Sequence, residues 1–155
     1  MPNKKLAIIA TKGTLDWGYP PFILASTAAA LGYDVEIFFT FYGLQLLKKD
    51  MNLKVTSLGN PGMPMPVPMP VLLQALPGMQ SMMTMMMKNT MKKKGVVELG
   101  ELRGLCQEAE VKFIACQMTV DLFDMKPEDF MEGIEYGGAA MFFEFAGESD
   151  ICLYI

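Results

Sequence analysis

Few side chains in this sequence can do covalent chemistry, and three of them are thiols. The 155 residues include three cysteines, Cys106, Cys116 and Cys152, and no histidine. The lack of histidine excludes Ser-His-Asp triads, Cys-His dyads and imidazole metal sites. Chemistry in this chain must therefore use thiols, carboxylates, lysines, tyrosines or backbone groups.

Cys116 occupies the position that best suits a reactive thiol. It closes the apolar run VKFIAC and precedes QMTVD, a pattern that predicts a strand end leading into a helix. A thiol there faces unpaired N–H groups and the positive end of the helix dipole, and both favour the thiolate. The alternative is a small buried hydrophobe at the end of a strand. Position alone makes Cys116 the first catalytic candidate.

The other two cysteines fit packing better than chemistry. Cys106 shares an apolar stripe with Leu102, Leu105 and Ala109, which predicts a core position on a helix. Cys152 lies in ICLYI, predicted to be a last buried strand. A resolving pair of Cys106 with Cys116 stays open, since only a distance between them could decide it.

The hydrophobic pattern alternates between strand and helix along the chain. Strands are predicted at Leu6–Thr11, Val35–Thr40, Val111–Cys116 and Ile151–Ile155, with a weaker one at Lys54–Leu58. Helices are predicted from Pro20-Pro21 to Leu31, at Gly43–Lys49, Met79–Lys94 and Val97–Glu110, after Pro127, and in AAMFFEFAGES. The expected fold is α/β, a three-layer α/β/α domain around a parallel sheet of about five strands.

Ligand crevices of parallel sheets lie outside the carboxyl ends of the strands. Three segments meet that condition: TKGTLDWG, FYG and CQMTVD. The pocket and loop candidates in the first two segments are Lys12, Gly13, Asp16, Phe41, Tyr42 and Gly43. Neither GxGxxG nor GxxxxGK[ST] is present, so no nucleotide cofactor is predicted.

A segment rich in proline and methionine, at about 59–95, is predicted to be an insertion in a single domain of residues 1–155. Its second part is a predicted helix with Met79, Met82, Met83 and Met86 on one face and lysines at its end. Thioether side chains suit a lid or an oligomer interface. Peripheral membrane contact through 79–94 and Cu(I) binding by thioethers are the alternatives.

The charge and the first apolar run argue against two other classes of protein, those that bind nucleic acids and those that are secreted. The net charge of −4 and the pI near 4.8 argue against a nucleic-acid partner. The first apolar run, Leu6–Ala10, is too short for a secretory signal, so reduced thiols and a cytoplasmic location are expected.

The whole chain resembles the DsrE/DsrF-like family, and most closely its DsrE2 branch, which is peroxiredoxin-like in name only. The similar segments, in family order, are GTLD, EIFFTFYGLQLLKK, MMKNTMKKKG, VKFIACQMTVDLFDM and EYGGAAMFFEFAGESDICLYI. The resemblance implies a flavodoxin-like sheet and homo-oligomers such as trimers or hexamers.

The function that the resemblance implies is sulfur trafficking, in which Cys116 holds sulfane sulfur as a persulfide and hands it to a partner thiol. The partners would be the sulfur donor and acceptor proteins of a relay. Such chemistry needs a thiolate and donors for the anionic product but no metal or cofactor, and the backbone N–H groups of Gln117, Met118 and Thr119 are the candidate donors. Whether transfer is catalytic, as in a sulfurtransferase, stays open. The alternative is a non-catalytic flavodoxin-like subunit whose Met-rich helix docks on a membrane or a partner protein.

Overall fold

A computed structural model of the chain describes residues 2–56, 67 and 70–155. The strands are β1 Lys5–Ala10, β2 Asp34–Phe39, β3 Lys112–Cys116, β4 Glu135–Gly137 and β5 Ile151–Tyr154. The helices are α1 Leu15–Ala30, α2 Val71–Gln74, α3 Met79–Lys93, α4 Leu99–Glu108, α5 Gln117–Leu122 and α6 Ala139–Ala146. Two 3₁₀ helices span Phe41–Leu47 and Pro127–Asp129.

The five strands form one parallel sheet in the order β4-β3-β2-β1-β5. The predicted α/β class and the five-stranded parallel sheet are confirmed. The strand order differs from the 2-1-3-4-5 order of flavodoxin, so the likeness to flavodoxin lies in the layers rather than in the connections. From β1 to β4 each strand lies beside the previous one, whereas the chain then crosses the whole sheet to reach β5.

This topology covers the two faces of the sheet unequally. Because parallel crossovers are right-handed, connections that step in opposite directions place their helices on opposite faces. One face carries the main core, with Phe22 of α1, Phe39 of β2 and Phe113 of β3 in mutual ring contact. The other face has a small cluster under α6: Ala7, Phe38, Ile114, Cys116 and Phe142.

The first helix begins earlier than predicted. α1 starts at Leu15 and runs through Pro20 and Pro21, although those prolines suggested the helix start. Their rings remove two N–H donors within the helix. The N-terminal end of α1 is instead fixed by a residue outside the helix, because the Leu15 N–H donates to the carbonyl of Lys54 at 2.9 Å.

The helix α3 confirms the predicted Met79–Lys94 segment to within one residue, but its packing face is different. The face predicted from spacing comprised Met79, Met82, Met83 and Met86. The methionines that pack against the core are Met83, Met87 and Met91, while Met82, Met85 and Met86 are exposed. The helix is oriented by two hydrogen bonds with the backbone of Val55. The Val55 N–H donates to the Thr84 hydroxyl at 3.0 Å, and the Gln80 side chain donates to the Val55 carbonyl at 2.9 Å.

Two strand predictions are corrected. Residues 54–56 form no strand, and the rest of the predicted Lys54–Leu58 strand lies outside the described residues. In place of that predicted strand, the sheet is completed by β4, which lies at its edge and is only three residues long. β5 is a strand as predicted but is not buried, since it pairs with β1 alone and forms the opposite edge.

Other boundaries also shift. In α4, Leu102 and Cys106 are buried as predicted, but Leu105 and Ala109 are exposed, because the helix turns only a narrow stripe toward α1. The predicted helix after Pro127 is a single 3₁₀ turn. Most of the proline-rich stretch before residue 70 lies outside the described residues.

Candidate functional site

Cys116 is the last residue of β3 and the N-cap residue of α5. The preceding residues Phe113, Ile114 and Ala115 are buried in the sheet, so the strand is fixed up to the point where the chain turns into the helix. The side chain lies on the α6 face in the small apolar cluster and is 5% exposed. The thiol is therefore placed at the carboxyl edge of the sheet but is covered.

The surroundings of the thiol favour its anion despite this burial. Burial raises the pKa of Cys116, but hydrogen bonds donated by the Thr119 hydroxyl and N–H, the Thr40 hydroxyl and the Met118 N–H lower it further than burial raises it. The net pKa of the thiol is thus below its ordinary value. Met118 and Thr119 occupy the positions whose N–H groups have no partner within a helix.

Two threonine hydroxyls join the neighbouring strand ends beside this thiol. The Oγ1 atoms of Thr40, which follows β2, and Thr119, in the first turn of α5, lie 3.4 Å apart. The Thr119 Oγ1 also accepts a hydrogen bond of 3.1 Å from the Phe41 N–H. Thr119 is completely buried. Thr40 was missed from the sequence, although its place at the carboxyl end of the predicted strand Val35–Thr40 was a usable signal.

The structure brings the candidate loops after β1 and β2 into direct contact. A side chain at Gly13 would collide with the carbonyl oxygen of Tyr42, and one at Gly43 would collide with the carbonyl oxygen of Ala10. Both glycines are thus accounted for by the close approach of backbones. They allow the two loops to approach each other closely.

Lys12 and Asp16 have contacts of their own near the start of α1. The Asp16 carboxylate accepts hydrogen bonds from the N–H and the hydroxyl of Thr56, at 2.8 and 2.6 Å. The Lys12 ammonium lies 4.1 Å from the centre of the Trp17 ring, a cation–π contact. These contacts occupy both side chains at the start of α1.

An aromatic group stands beside α5, formed by Phe41, Tyr42 and Phe123. The Tyr42 ring stacks on Phe123 at 5.8 Å between centroids, and Phe41 meets Phe123 edge to face at 6.3 Å. The rings of Phe41, Tyr42 and Phe123 are 44%, 64% and 40% exposed. Phe41 also has a φ of 48°, a left-handed conformation that costs about 1–2 kcal/mol. We name this feature the aromatic rim.

The two remaining cysteines differ sharply from Cys116. Cys106 is completely buried, its thiol donates to the Phe22 carbonyl at 3.3 Å, and burial raises its pKa to about 11. It lies in the core on the other face of the sheet, and both it and Cys116 are free thiols. Cys152, predicted to be buried, is exposed because β5 is an edge strand.

Residues 2–56, 67 and 70–155 hold no group of three or more His, Cys, Asp or Glu side chains placed to bind a metal ion. Within the same ranges, no helix has the length and apolar character needed to cross a membrane.

The fold and site define an α/β protein with a thiol at the carboxyl edge of a parallel sheet. The chain belongs to the DsrE/DsrF/DrsH-like family, whose model matches residues 2–154. It is 76% identical to "Sulfur carrier protein DsrE2" of Allochromatium vinosum over an alignment of 159 residues that covers 100% of both chains. It is 32% identical to the uncharacterized protein YrkE of Bacillus subtilis, covering 99% of this chain and 98% of that one.

The fold has a counterpart among solved structures. The crystal structure of the ychN protein from E. coli matches 98% of this chain and 99% of its own length with a TM-score of 0.56. At 10% identity this likeness concerns the fold alone.

Proposed function

We propose that this protein is a sulfur carrier that holds sulfane sulfur as a persulfide on Cys116 and passes it to the thiol of a partner protein. The observation that carries the proposal is the place of this thiol at the end of β3 and the N-cap of α5, where hydroxyl and N–H donors lower its pKa. The relative named as a sulfur carrier, 76% identical over its whole length, supports the same function.

The chemistry consists of two nucleophilic displacements at sulfur. In the first, the Cys116 thiolate attacks the outer sulfur of a donor such as thiosulfate, an S–S bond forms, and sulfite leaves with the electron pair of the broken bond. In the second, a partner thiolate attacks the outer sulfur of the persulfide, and the Cys116 thiolate leaves. Each step exchanges one S–S bond for another and needs no external oxidant or reductant.

The donors around Cys116 have a role in both steps. The hydroxyls of Thr40 and Thr119 stabilise the attacking thiolate in the first step and the leaving thiolate in the second. The N–H groups of Gln117, Met118 and Thr119 stabilise the terminal sulfur anion of the persulfide. The proposed site residues are therefore Cys116 for the covalent step and these donors for charge stabilisation.

A covered thiol needs a route for the donor. Cys116 pairs with Gly137 of β4, a three-residue strand at the edge of the sheet, and Met141 packs against the same small cluster. A thioether side chain with three rotatable bonds is the most easily moved part of that cover. We propose that donor and partner thiols reach Cys116 at Met141 and the β4 edge.

Loading with thiosulfate or polysulfide, followed by intact-mass spectrometry, tests the proposal. We expect a mass increase of about 32 Da, one sulfur atom, that disappears when a small thiol is added. The exposed Cys152 is the main source of a false signal, so Cys152→Ser should retain the added sulfur and Cys116→Ser should lose it. Equal loading of wild type and Cys116→Ser would overturn the proposal.

We also propose one domain for residues 1–155, with the Pro/Met-rich segment at about 59–95 as an insertion, since α3 packs on the same core as α1 and α4.

The exposed apolar side chains of Phe143, Ile151 and Tyr154, on α6 and β5, favour a homo-oligomer such as a trimer or hexamer. Light scattering after size-exclusion chromatography tests the assembly, and Phe143→Glu should dissociate it. A monomeric wild-type chain would contradict it.

A further inference from the structure

A cavity of about 640 Å³ lies outside the persulfide site and is not used by the proposed function. Its walls come from α1, residues 49–53, α3 and α4, and Cys116 is not among its lining residues. Volumes of about 300–1,000 Å³ are typical of sites for small organic ligands. The cavity is therefore large enough for a ligand of that kind.

Positive charge converges on this cavity from three parts of the chain. Lys49 follows the first 3₁₀ helix, Lys88 and Lys92 are one turn apart on α3, and Arg103 belongs to α4. The lining includes a single carboxylate, Glu98. Within residues 2–56, 67 and 70–155, the one ion pair joins Lys5 to Glu148, so none of these four cations forms an ion pair with a described residue.

Arg103 is the fixed member of this group. Its Nη1 donates to the carbonyl oxygens of Leu46 and Lys48, at 2.9 and 2.7 Å, which holds the guanidinium in place. The structure shows no acceptor for its Nε and Nη2 among the described residues. Burial lowers the pKa of this guanidinium, which is the effect of a cation taken from water without a counter-ion. A ligand anion would offset that cost.

Aliphatic and thioether side chains make up another part of the lining. Leu15, Leu53 and Leu99 are buried side chains of the cavity wall, and Met51 and Met91 are partly buried beside them. Charged residues thus share one cavity with aliphatic and thioether side chains. Inorganic phosphate would leave the apolar wall uncovered, and a neutral chain would leave the cations without a partner.

We propose that this cavity binds an amphipathic anion, with a phosphate or carboxylate head against the Lys49, Lys88, Lys92 and Arg103 cations and an apolar chain against the Met51 and Leu53 wall. Lysines and arginines are the usual partners of such heads, and the methionines adapt to chains of varying shape. The head and chain are shared by a free acyl or alkyl phosphate and by an anionic membrane lipid, which the experiment separates.

Calorimetric titration of the full chain with dodecyl phosphate, below its micelle concentration, tests the site. We expect saturable binding at one site, weaker binding of inorganic phosphate by about tenfold or more, and no binding of a neutral dodecyl glycoside. The double variant Lys88→Glu, Lys92→Glu reverses two exposed charges without removing a hydrogen bond found in the described residues. Its Kd for dodecyl phosphate should rise about tenfold or more.

The matched control is Lys93→Glu, Lys94→Glu, which makes the same change of charge at the end of α3 outside the cavity lining. Its Kd should stay within about twofold of wild type, and persulfide formation should be unchanged in both double variants. Equal weakening by both double variants, or equal affinity for phosphate and dodecyl phosphate, would overturn the proposal.

A second experiment, with lipid vesicles, decides between a free phosphate compound and a membrane lipid as the ligand. Phosphatidylglycerol that stays with the protein after separation from vesicles, with no phosphatidylcholine retained, would support a membrane lipid as the ligand. Binding of dodecyl phosphate with no lipid retained would support a free metabolite. If the Lys88→Glu, Lys92→Glu variant kept both dodecyl phosphate binding and lipid retention, the site itself would be contradicted.

Discussion

The hydroxyl oxygens of Thr40 and Thr119 lie 3.4 Å apart beside the sulfur of Cys116. This contact joins the end of β2 to the first turn of α5, and both hydroxyls lower the pKa of the thiol against the effect of burial. Thr119 also accepts a hydrogen bond from the Phe41 N–H, so it links the thiol to the aromatic rim. One buried hydroxyl therefore affects both the chemistry and the local fold.

Thr119→Val should raise the pKa of Cys116, because the variant loses a hydroxyl donor and keeps the shape of the side chain. In a Cys152→Ser background, the rate of alkylation by iodoacetamide at neutral pH should fall about fivefold, the effect of one hydrogen bond of about 1 kcal/mol. The pH at which the rate is half-maximal should move upward. The control is Thr27→Val, an exposed site on α1, which should leave both quantities unchanged. An unaltered rate profile in Thr119→Val would show that the hydroxyl does not act on the thiol.

Stability should depend on pH through the buried carboxyl group of Glu36. This side chain is 4% exposed, its Oε1 has no hydrogen-bond partner among the described residues, and burial raises its pKa from 4.5 to about 7. Between those two values the folded state holds a proton that the unfolded chain has released. The free energy of unfolding should therefore fall as the pH rises through this window and should stay level above it.

Glu36→Gln should remove that slope and stabilise the protein at pH values near 8 by about 1–3 kcal/mol. Denaturant unfolding at a series of pH values measures both effects. Glu108→Gln, which changes an exposed carboxylate on α4, is the control and should keep the wild-type slope. A slope that survives in Glu36→Gln would assign the dependence to another group.

Gly43→Ala should destabilise the fold by about 1–3 kcal/mol, because the added methyl group collides with the Ala10 carbonyl oxygen in the backbone of β1. Gly104→Ala is the matched control in α4, where an added methyl group meets nothing within 4 Å. That change should stabilise the helix by about 0.5–1 kcal/mol. Thermal unfolding of the two variants should give shifts of opposite sign, and a tolerated Gly43→Ala would refute the close approach.

Cys106→Ala should weaken the fold by about 1 kcal/mol and leave sulfur loading intact. The thiol is completely buried, and its pKa of about 11 keeps it protonated at neutral pH. Urea unfolding and intact-mass spectrometry of the loaded variant measure the two properties separately. A loss of loading at normal stability would give Cys106 a chemical role.

The sequence predicted those parts of the fold that depend on local pattern. The long apolar runs of β1, β2 and β3 were recognisable because each buries a continuous hydrophobic set, and α3 was recognisable from its run of methionines and the lysines at its end. β4 was missed because EYG is too short to show a period, and it is a strand only by virtue of its partner β3. The exposure of β5 depends on the strand order, which no local pattern contains.

The residues of the candidate site likewise divide into those that local sequence identifies and those that depend on contacts across the fold. Cys116 was identified from the strand and helix that meet there. The orientation of Asp16 toward Thr56, by contrast, results from a contact across 40 residues of sequence. The role of the Thr40 hydroxyl likewise requires β2 and β3 to be neighbours, which the sheet establishes. Residues that act across strands are therefore the ones that sequence reasoning missed.

The most direct test of the central claim is to locate the added sulfur in the wild-type protein. After loading with thiosulfate and alkylation of all thiols and persulfides, peptide mass spectrometry should find the extra sulfur, about 32 Da, on the peptide with Cys116. The peptides with Cys106 and Cys152 should carry alkylated thiols without it. Extra sulfur confined to Cys152, or found on none of the three, would contradict a persulfide carrier that acts through Cys116.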